Sequence, residues 1–422
     1  MIIVESQTEQ NDFLQRWNNY PSVIIPIYTD LDQHPMNNKI SFLFVRVDER
    51  DFILNYNHID GKVHQVDIRG SDQPKWVYNK KGFLQMDLGI KNLFDISNYT
   101  FFERDGVMDL KLEEQPFITH YKRLNIQDNL GKIAPIMKWG EFLTTTLDNF
   151  NLPQPQRSWI DETMIPLLSQ IEQYGIGVDR AKFFDRYPQA TKHLINNQLY
   201  TQYNPYTLTS RPSNRFGGIN FSALNKGDGT REVFIPKENH IFLQLDYDAY
   251  HPRIIGKLID YELPQTSVHQ WLAQQYGCDY SESKGITFKL LYGGIPQEFE
   301  SIPYYKRVNE YIQKLWEKSQ RDGYISTYNR KIPLNQIEGV NPQKVFNYLL
   351  QSIETELNME IIKKILAFIR QTDIELTLYT YDSFLFSFPL DSPKEYVVKL
   401  KQIIESLGFP IKAEWGMDYS KL

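Results

Sequence analysis

Two aspartates set the chemistry open to this 422-residue chain. Asp246 follows the apolar run Ile241, Phe242, Leu243 and Leu245, and Asp382 lies in YTYDSFLFSF, an equally apolar setting. Both runs read as buried strands, and a helix is expected from Pro252 onward. A carboxylate at a strand end is held rigidly at the rim of a cleft. Two of them, converging, make a site for a hard divalent cation. Read singly, each Asp serves equally well to end its strand or cap the next helix.

The stretch between the acids has the most informative spacing. In ESKGITFKLLYGGIP, Lys284, Phe288 and Tyr292 fall four residues apart, so on a helix they form one stripe, which Gly293 and Gly294 end. A cation and two aromatics on one face suit a nucleoside triphosphate, because Lys pairs with phosphate oxygens and a ring stacks on a base. The same spacing also fits Phe288 and Tyr292 as core contacts with Lys284 reaching out to solvent. His269, in SVHQWLAQQYG, is either a second phosphate donor or a structural histidine.

The elements that must position these groups come from the rest of the chain. SVIIPIYTD, KISFLFVRV and DFILNYNHID give short strands up to about residue 124. From about 133 to 186 the period becomes helical, with Met164, Leu167, Leu168 and Ile171 on one face, and Gly175 and Gly177 are expected to stop that helix. The proline-rich NLPQPQRS is a candidate seam between two regions. Hydrophobic content of 41% and aromatic content of 14% supply two or three packed domains. A formal charge of −6 excludes a generally basic nucleic-acid coat but not a local basic cleft. One cysteine, Cys278, excludes an intramolecular disulfide and a multi-cysteine zinc site. No leader and no bilayer-length apolar window are read, so the expectation is a cytoplasmic protein without a membrane partner.

Taken together these residues resemble the family A DNA polymerases typified by bacterial polymerase I and its phage relatives. The first palm motif of that family, usually Asp-Tyr-Ser-Gln-Ile-Glu-Leu-Arg, is similar to DYDAYHPR from Asp246 to Arg253. The finger-helix motif, Lys-x-x-x-aromatic-x-x-x-Tyr-Gly, is matched by Lys284, Phe288, Tyr292 and Gly293, and the third motif, His-Asp-Glu, looks like Tyr381, Asp382 and Ser383. YGIGVD at Asp179, Arg211-Pro-Ser, REVFIP from Arg231, GYISTYNRKIP near Arg330 and NYLLQSIETEL follow in the family's order.

The resemblance implies an α+β right-hand polymerase with palm, fingers and thumb, behind an RNase H-like exonuclease-type α/β domain. It implies two Mg²⁺ ions, or Mn²⁺ in their place, held by Asp246, Asp382 and the backbone of Tyr247. Lys284, His269, Phe288, Tyr292, His251 and Tyr247 would meet the dNTP, and Arg211, Asn347, Gln351 and Arg330 the primer-template DNA. His251 stands where the family has the sugar-facing Glu, Ser383 where it has an acid, and Tyr280 where the finger helix has an Arg.

The expected domains are a degenerate 3′–5′ exonuclease-like domain over 1–130, a linker and connecting helix over 131–158, and a polymerase domain over 159–422. Within the last, a reduced thumb is expected at about 180–210, palm at about 211–260 and 330–422, and fingers at about 261–329. The short thumb implies weak grip on DNA, low processivity, or a protein partner that supplies the missing clamp. Pro26, Ile27, Tyr28 and Thr29 stand where the exonuclease motif Asp-x-Glu-Thr belongs, so no proofreading is expected; Asp30, Asp32 and Asp95 are turn acids or a rearranged site. The expected activity is template-directed DNA synthesis, with the bacterial cytoplasm as its place if the gene is viral. An RNA polymerase or primase-like enzyme, and a non-catalytic nucleic-acid-binding subunit, are the alternatives.

Overall fold

The computed structural model describes residues 1–30, 32–102, 134–148, 158–420 and 422. They form two compact units, Met1–Gln173 and Tyr174–Leu422.

Unit one is built on a six-stranded mixed sheet. Its strands are β1 (Ile2–Ile3), β2 (Ser22–Tyr28), β3 (Ile40–Val47), β4 (Arg50–Asn55), β5 (Lys75–Val77) and β6 (Leu93–Asp95), in spatial order β1-β4-β3-β2-β5-β6. The runs SVIIPIY, ISFLFVRV and RDFILN are buried almost throughout, as strands covered on both faces must be. Helices α1 (Gln7–Asn19), α2 (Lys80–Leu84), α3 (Ile96–Phe102), α4 (Ile136–Asp148) and α5 (Ile165–Ile171) complete the unit. Phe13 and Trp17 of α1 join a core with Ile24, Leu43 and Phe52, while Trp139 and Leu143 of α4 join one with Ile25, Phe42 and Trp76.

The seam between units differs from the sequence expectation. Residues 159–173 belong with the first unit, and the expected linker lies outside the described residues except for Ser158. The cause is buried charge. Lys80 pairs with Asp161 at 2.8 Å, and Lys81 pairs with Glu172, which also accepts from Gln85 at 2.6 Å. Breaking such pairs would strand charges out of water, so the α5 segment is tied to α2. Met164, Leu167, Leu168 and Ile171 are buried, as their spacing requires. The glycines do not stop this helix, which ends at Ile171. Gly175 and Gly177 lie in strand β7 (Gly175–Val178), and a Cβ on Gly177 would come within 2.6 Å of the Ile235 carbonyl oxygen.

Unit two carries small sheets from β7, β8 (Gln198–Tyr200), β9 (Tyr203–Asn204), β10 (Ser213–Phe216), β11 (Ile219–Asn220) and β12 (Phe234–Ile235). The expected thumb region holds only α6 (Arg180–Arg186) and a 3-10 turn over Pro188–His193 before β8. The central sheet has the order β16-β17-β13-β18, with β13 (His240–Tyr247), β16 (Glu375–Thr380), β17 (Ser383–Pro389) and β18 (Ile411–Gly416), every pairing antiparallel. Around it come α7 (Tyr250–Leu258), α8 (Val268–Tyr276), α9 (Tyr280–Gly293), α10 (Pro303–Asp322), the hairpin β14 (Tyr324–Ser326) and β15 (Lys331–Pro333), α11 (Pro342–Ile369) and α12 (Lys394–Glu405). No helix among the described residues is long and apolar enough to cross a membrane.

One buried cation makes the energetics of the first unit pH-dependent. Lys75 is fully buried, donates to the Trp17 carbonyl at 2.7 Å and lies 3.9 Å above the Trp17 ring. Burial still pushes its ammonium down to about 7, from an ordinary value of 10.5. Between those values the unfolded chain binds the proton and the folded chain releases it, so stability rises with pH across that window. Thermal unfolding of Lys75→Met and the parent chain should show a gap in favour of Met near pH 7 that narrows toward pH 10; a gap independent of pH would contradict this account.

Candidate functional site

The site begins with strand pairing. Asp246 on β13 is the register partner of Ser383 on β17, and the Tyr247 N–H donates to the Asp382 carbonyl at 3.1 Å. Asp382 therefore sits beside Asp246 although the two are far apart in the chain. Burial first, and the neighbouring Asp382 second, push Asp246 up to about 7. Asp382 is also raised, by burial and then by Glu354, although the residue keeps solvent contact at its turn.

Each acid adjoins a backbone position in the left-handed region. Tyr381 and Asp382 form the two-residue loop of the β16–β17 hairpin, with φ of 60° at Tyr381, where a type II′ turn prefers glycine. Two contacts hold the strained residue. The Arg211 guanidinium lies 3.6 Å over its ring, and the Asn358 side-chain amide donates to its carbonyl at 2.5 Å. On the other strand Ala249, with φ of 52°, turns β13 abruptly into α7. Arg253 fixes that turn by donating to the Asp248 backbone carbonyl at 2.7 Å and pairing with the Asp248 carboxylate at 3.3 Å. The last residue of DYDAYHPR is thus a buried clamp. Non-glycine residues persist in such conformations only where their surroundings over-determine them, and such positions cluster at functional sites.

The helix stripe falls on the face opposite the packed one. Ser283, Thr287 and Leu290 of α9 are buried, whereas Lys284 and Phe288 are exposed and Tyr292 is half-buried. The core-contact reading of Phe288 is thereby overturned. The rings of Phe288 and Tyr292 stack at 6.0 Å and 8°, and the Lys284 charge acts directly on Asp246. Gly293 closes the helix and Gly294, at φ of 109°, leaves it. The terminal carbonyls of α9 are satisfied from α11: Gln343 donates to Leu291, and Asn347 to Tyr292 at 3.2 Å.

A carboxylate that sequence reading missed joins these parts. Glu354 of α11 is 2% exposed, lies 2.9 Å from the Arg211 guanidinium and 3.3 Å from His251 Nε2. The other ring nitrogen of His251 bonds the Tyr292 hydroxyl. Burial would raise the Glu354 pKa, but the His251 and Arg211 charges more than offset it and hold the group below its ordinary value. The chain Tyr292–His251–Glu354–Arg211–Tyr381 thus runs from the end of α9 to the Asp382 turn. Its only sequence signal is an acid inside the apolar face of a long helix, three residues after Gln351.

Several expected site residues are placed differently from their assigned roles. The Tyr247 side chain is buried, stacks on Tyr250 at 4.2 Å and donates to the Ile404 carbonyl, so only its backbone is left for a ligand. Asn347 spends its amide hydrogen on Tyr292; Gln351, one turn on, is half-buried. Arg330 bonds the Ser210 hydroxyl, next to Arg211, and burial pushes it down to about 10. His269 is 4% exposed, and burial with the Lys284 charge favours its neutral form. Asp30 accepts the Asp32 N–H and Asp95 the Ser97 N–H, which are turn and cap roles.

The donor set fits a divalent cation. Asp246 Oδ1 is buried with no hydrogen-bond partner, beside a second carboxylate that repels it. A cation between them would offset both costs. No group of three or more His, Cys, Asp or Glu that could hold a metal ion occurs among the described residues, so any further ligands must be backbone, solvent or substrate oxygens.

No protein-family model and no curated protein matches the chain. Among solved structures it is similar to the POL domain of Pol1 from M. smegmatis, determined in complex with DNA primer-template and dNTP. The TM-score is 0.67 at 13% identity, over 100% of this chain and 99% of that one. The chain therefore has the fold of a DNA polymerase domain, a mixed α+β architecture.

Removing Glu354 leaves Arg211 and buried His251 without their counter-charge. Glu354→Ala should destabilise the chain by about 3 kcal/mol in chemical denaturation, with Glu354→Gln costing less; a loss under about 0.5 kcal/mol would mean the network carries no load.

Proposed function

We propose that the chain is a template-directed, primer-dependent DNA polymerase of the family A type, adding dNMP to a primer 3′-hydroxyl without proofreading. The observation that carries this reading is the pair Asp246, at the end of β13, and Asp382, in the turn that leads into the neighbouring β17, with the Lys284 charge acting on Asp246 from a helix face that also exposes Phe288. The fold likeness supports it, since the similar POL domain was solved with primer-template and dNTP.

In this reading the side chains bind and orient. Asp246, Asp382 and the Tyr247 backbone would hold Mg²⁺, which supplies Lewis-acid stabilisation of phosphoryl charge and activation of the primer hydroxyl. Lys284 would grip the triphosphate as a point charge, with His269 donating as a neutral imidazole. The stacked Phe288 and Tyr292 rings give a flat platform for sugar and base. Arg211, held against Tyr381 and Glu354, would fix the primer end where the Asp382 turn presents its acid. Gln351 and Arg330 would line the path of the primer-template, with Asn347 acting mainly through its bond to the end of α9.

Ribonucleotide use is the second reading. It is favoured by His251, which stands at the family's sugar-facing position and binds the Tyr292 hydroxyl and Glu354. The exonuclease-like reading of residues 1–130 rests on the mixed sheet with Tyr28 at the end of β2, and a protein partner for processivity on the short segment between α6 and β10.

Primer extension with Mg²⁺ should incorporate dNTPs, and Asp246→Ala or Asp382→Ala should each lower the rate by at least about a thousandfold. Equal rates in parent and variants would identify a contaminant or a non-catalytic chain, and preferential rNTP incorporation would select the second reading. A mismatched 3′ nucleotide should stay on the primer; its release, abolished by Asp30→Ala or Asp32→Ala, would overturn the absence of proofreading.

A further inference from the structure

The side chains acting on Asp246 include two basic groups that the reading above does not use, Lys412 and Lys226. Lys412 lies on β18, the outer neighbour of β13, and is the register partner of Asp246. Antiparallel register partners project from the same face of a sheet, so Lys412 shares the face of Asp246 and of Asp248 two residues on. Its ammonium reaches Asp248 Oδ1 at 2.8 Å, and Tyr280, in the first turn of α9, is among the groups that act on its charge. The side chain remains half-exposed.

Charge counting shows what this contact leaves over. Asp248 is already paired with buried Arg253, so the group Asp248, Arg253 and Lys412 carries a net positive charge. Lys284 is one turn along α9 from Tyr280, and its charge acts on both His269 and Asp246, as does that of Lys412. Lys226, in the loop before β12, also acts on Asp246. The His269 ring is edge-on to Tyr280 at 6.1 Å and near Phe288 at 6.2 Å, and its Nδ1 is buried without a partner. Three lysines, on three different segments, therefore act on Asp246, and the unsatisfied imidazole nitrogen of His269 lies beside Tyr280 and Phe288 of α9. Like charges repel, and bringing them together is favourable only when a polyanion or solvent offsets the repulsion.

We propose that Lys412 is a phosphate-binding residue for the incoming nucleoside triphosphate, supplying from the palm sheet the cation that α9 lacks at Tyr280. The assignment rests on the polymerase reading of the same site. Asp248 holds the ammonium in place through the ion pair at 2.8 Å. Lys412 then meets the triphosphate tail from the side of the sheet, opposite Lys284. Because the grip is shared between β18 and α9, nucleotide phosphate would bridge the two elements.

The test compares the parent chain, Lys412→Gln and Lys412→Arg in single-nucleotide incorporation, with thermal unfolding of each; Asp248 keeps Arg253 in every variant, so the turn into α7 retains a charge partner. Lys412→Gln should raise KM for dNTP about tenfold or more, the scale of one charge-assisted hydrogen bond, with kcat and primer-template affinity changed by less than about threefold. Lys412→Arg should recover most of the loss. Equilibrium binding of dNTP to the complex with a dideoxy-terminated primer should weaken in parallel. An unchanged KM, or a change confined to primer-template affinity, would overturn the assignment, the latter in favour of a DNA-backbone contact. If the parent extends no primer, the polymerase reading fails by itself. Lys412 is then judged on inorganic tripolyphosphate binding to the free chain, where an affinity equal in parent and Lys412→Gln overturns it.

Discussion

The antiparallel pairing of β13 with β17 is the constraint on which the rest of the second unit depends. It sets Asp246 against Ser383 and the Tyr247 amide against the Asp382 carbonyl, so two acids meet wherever that register is kept. A slip of one residue would send every side chain of the strand to the other face. The apolar residues Phe242, Leu243 and Leu245, all fully buried, make such a slip costly. Core packing thus enforces an arrangement that is itself unfavourable, a partly buried pair of like charges with one unpartnered oxygen.

Around this pair the chain places devices that hold strain. Tyr381 and Ala249 occupy left-handed conformations near the two acids, and each is secured by an arginine, Arg211 through its stacking on the Tyr381 ring and Arg253 through the Asp248 turn. Glu354 supplies the charge that keeps Arg211 and His251 in place, and His251 reaches the hydroxyl at the end of α9. Helix α11 therefore connects the end of α9 to the turn that carries Asp382. It does so with one buried carboxylate and two side-chain amides, those of Gln343 and Asn347.

Much of this was legible in the sequence wherever the signal was local. The apolar run ending at Asp246, the four-residue stripe of α9 and its terminal glycines each follow from periodicity, and the structure has the strand, the helix and the helix end that they require. Long-range pairings left weaker traces. Glu354 leaves only the trace of an acid inside the apolar face of a long helix, because the partners that make it tolerable, His251 and Arg211, come from other segments. Lys412 gave no sign at all, since only the register of β18 brings it to Asp246. Residues 159–173 group with the first unit for the same reason: Asp161 and Glu172 each meet a buried lysine of α2, a pairing that no local pattern announces. Gly175 and Gly177 were legible as special positions but not as to why, because the close approach of the Ile235 carbonyl is visible only once β12 is in place.

The central claim is that Asp246 and Asp382 act as one cation site. The most direct measurement is Mn²⁺ binding, followed by electron paramagnetic resonance, to the chain in complex with a dideoxy-terminated primer-template and dNTP. Parent chain should bind the ion, and Asp246→Asn and Asp382→Asn should each weaken binding by at least about tenfold, a loss of at least about 1.4 kcal/mol. Full binding retained in either variant would contradict the account, because the two carboxylates would then not share the ion.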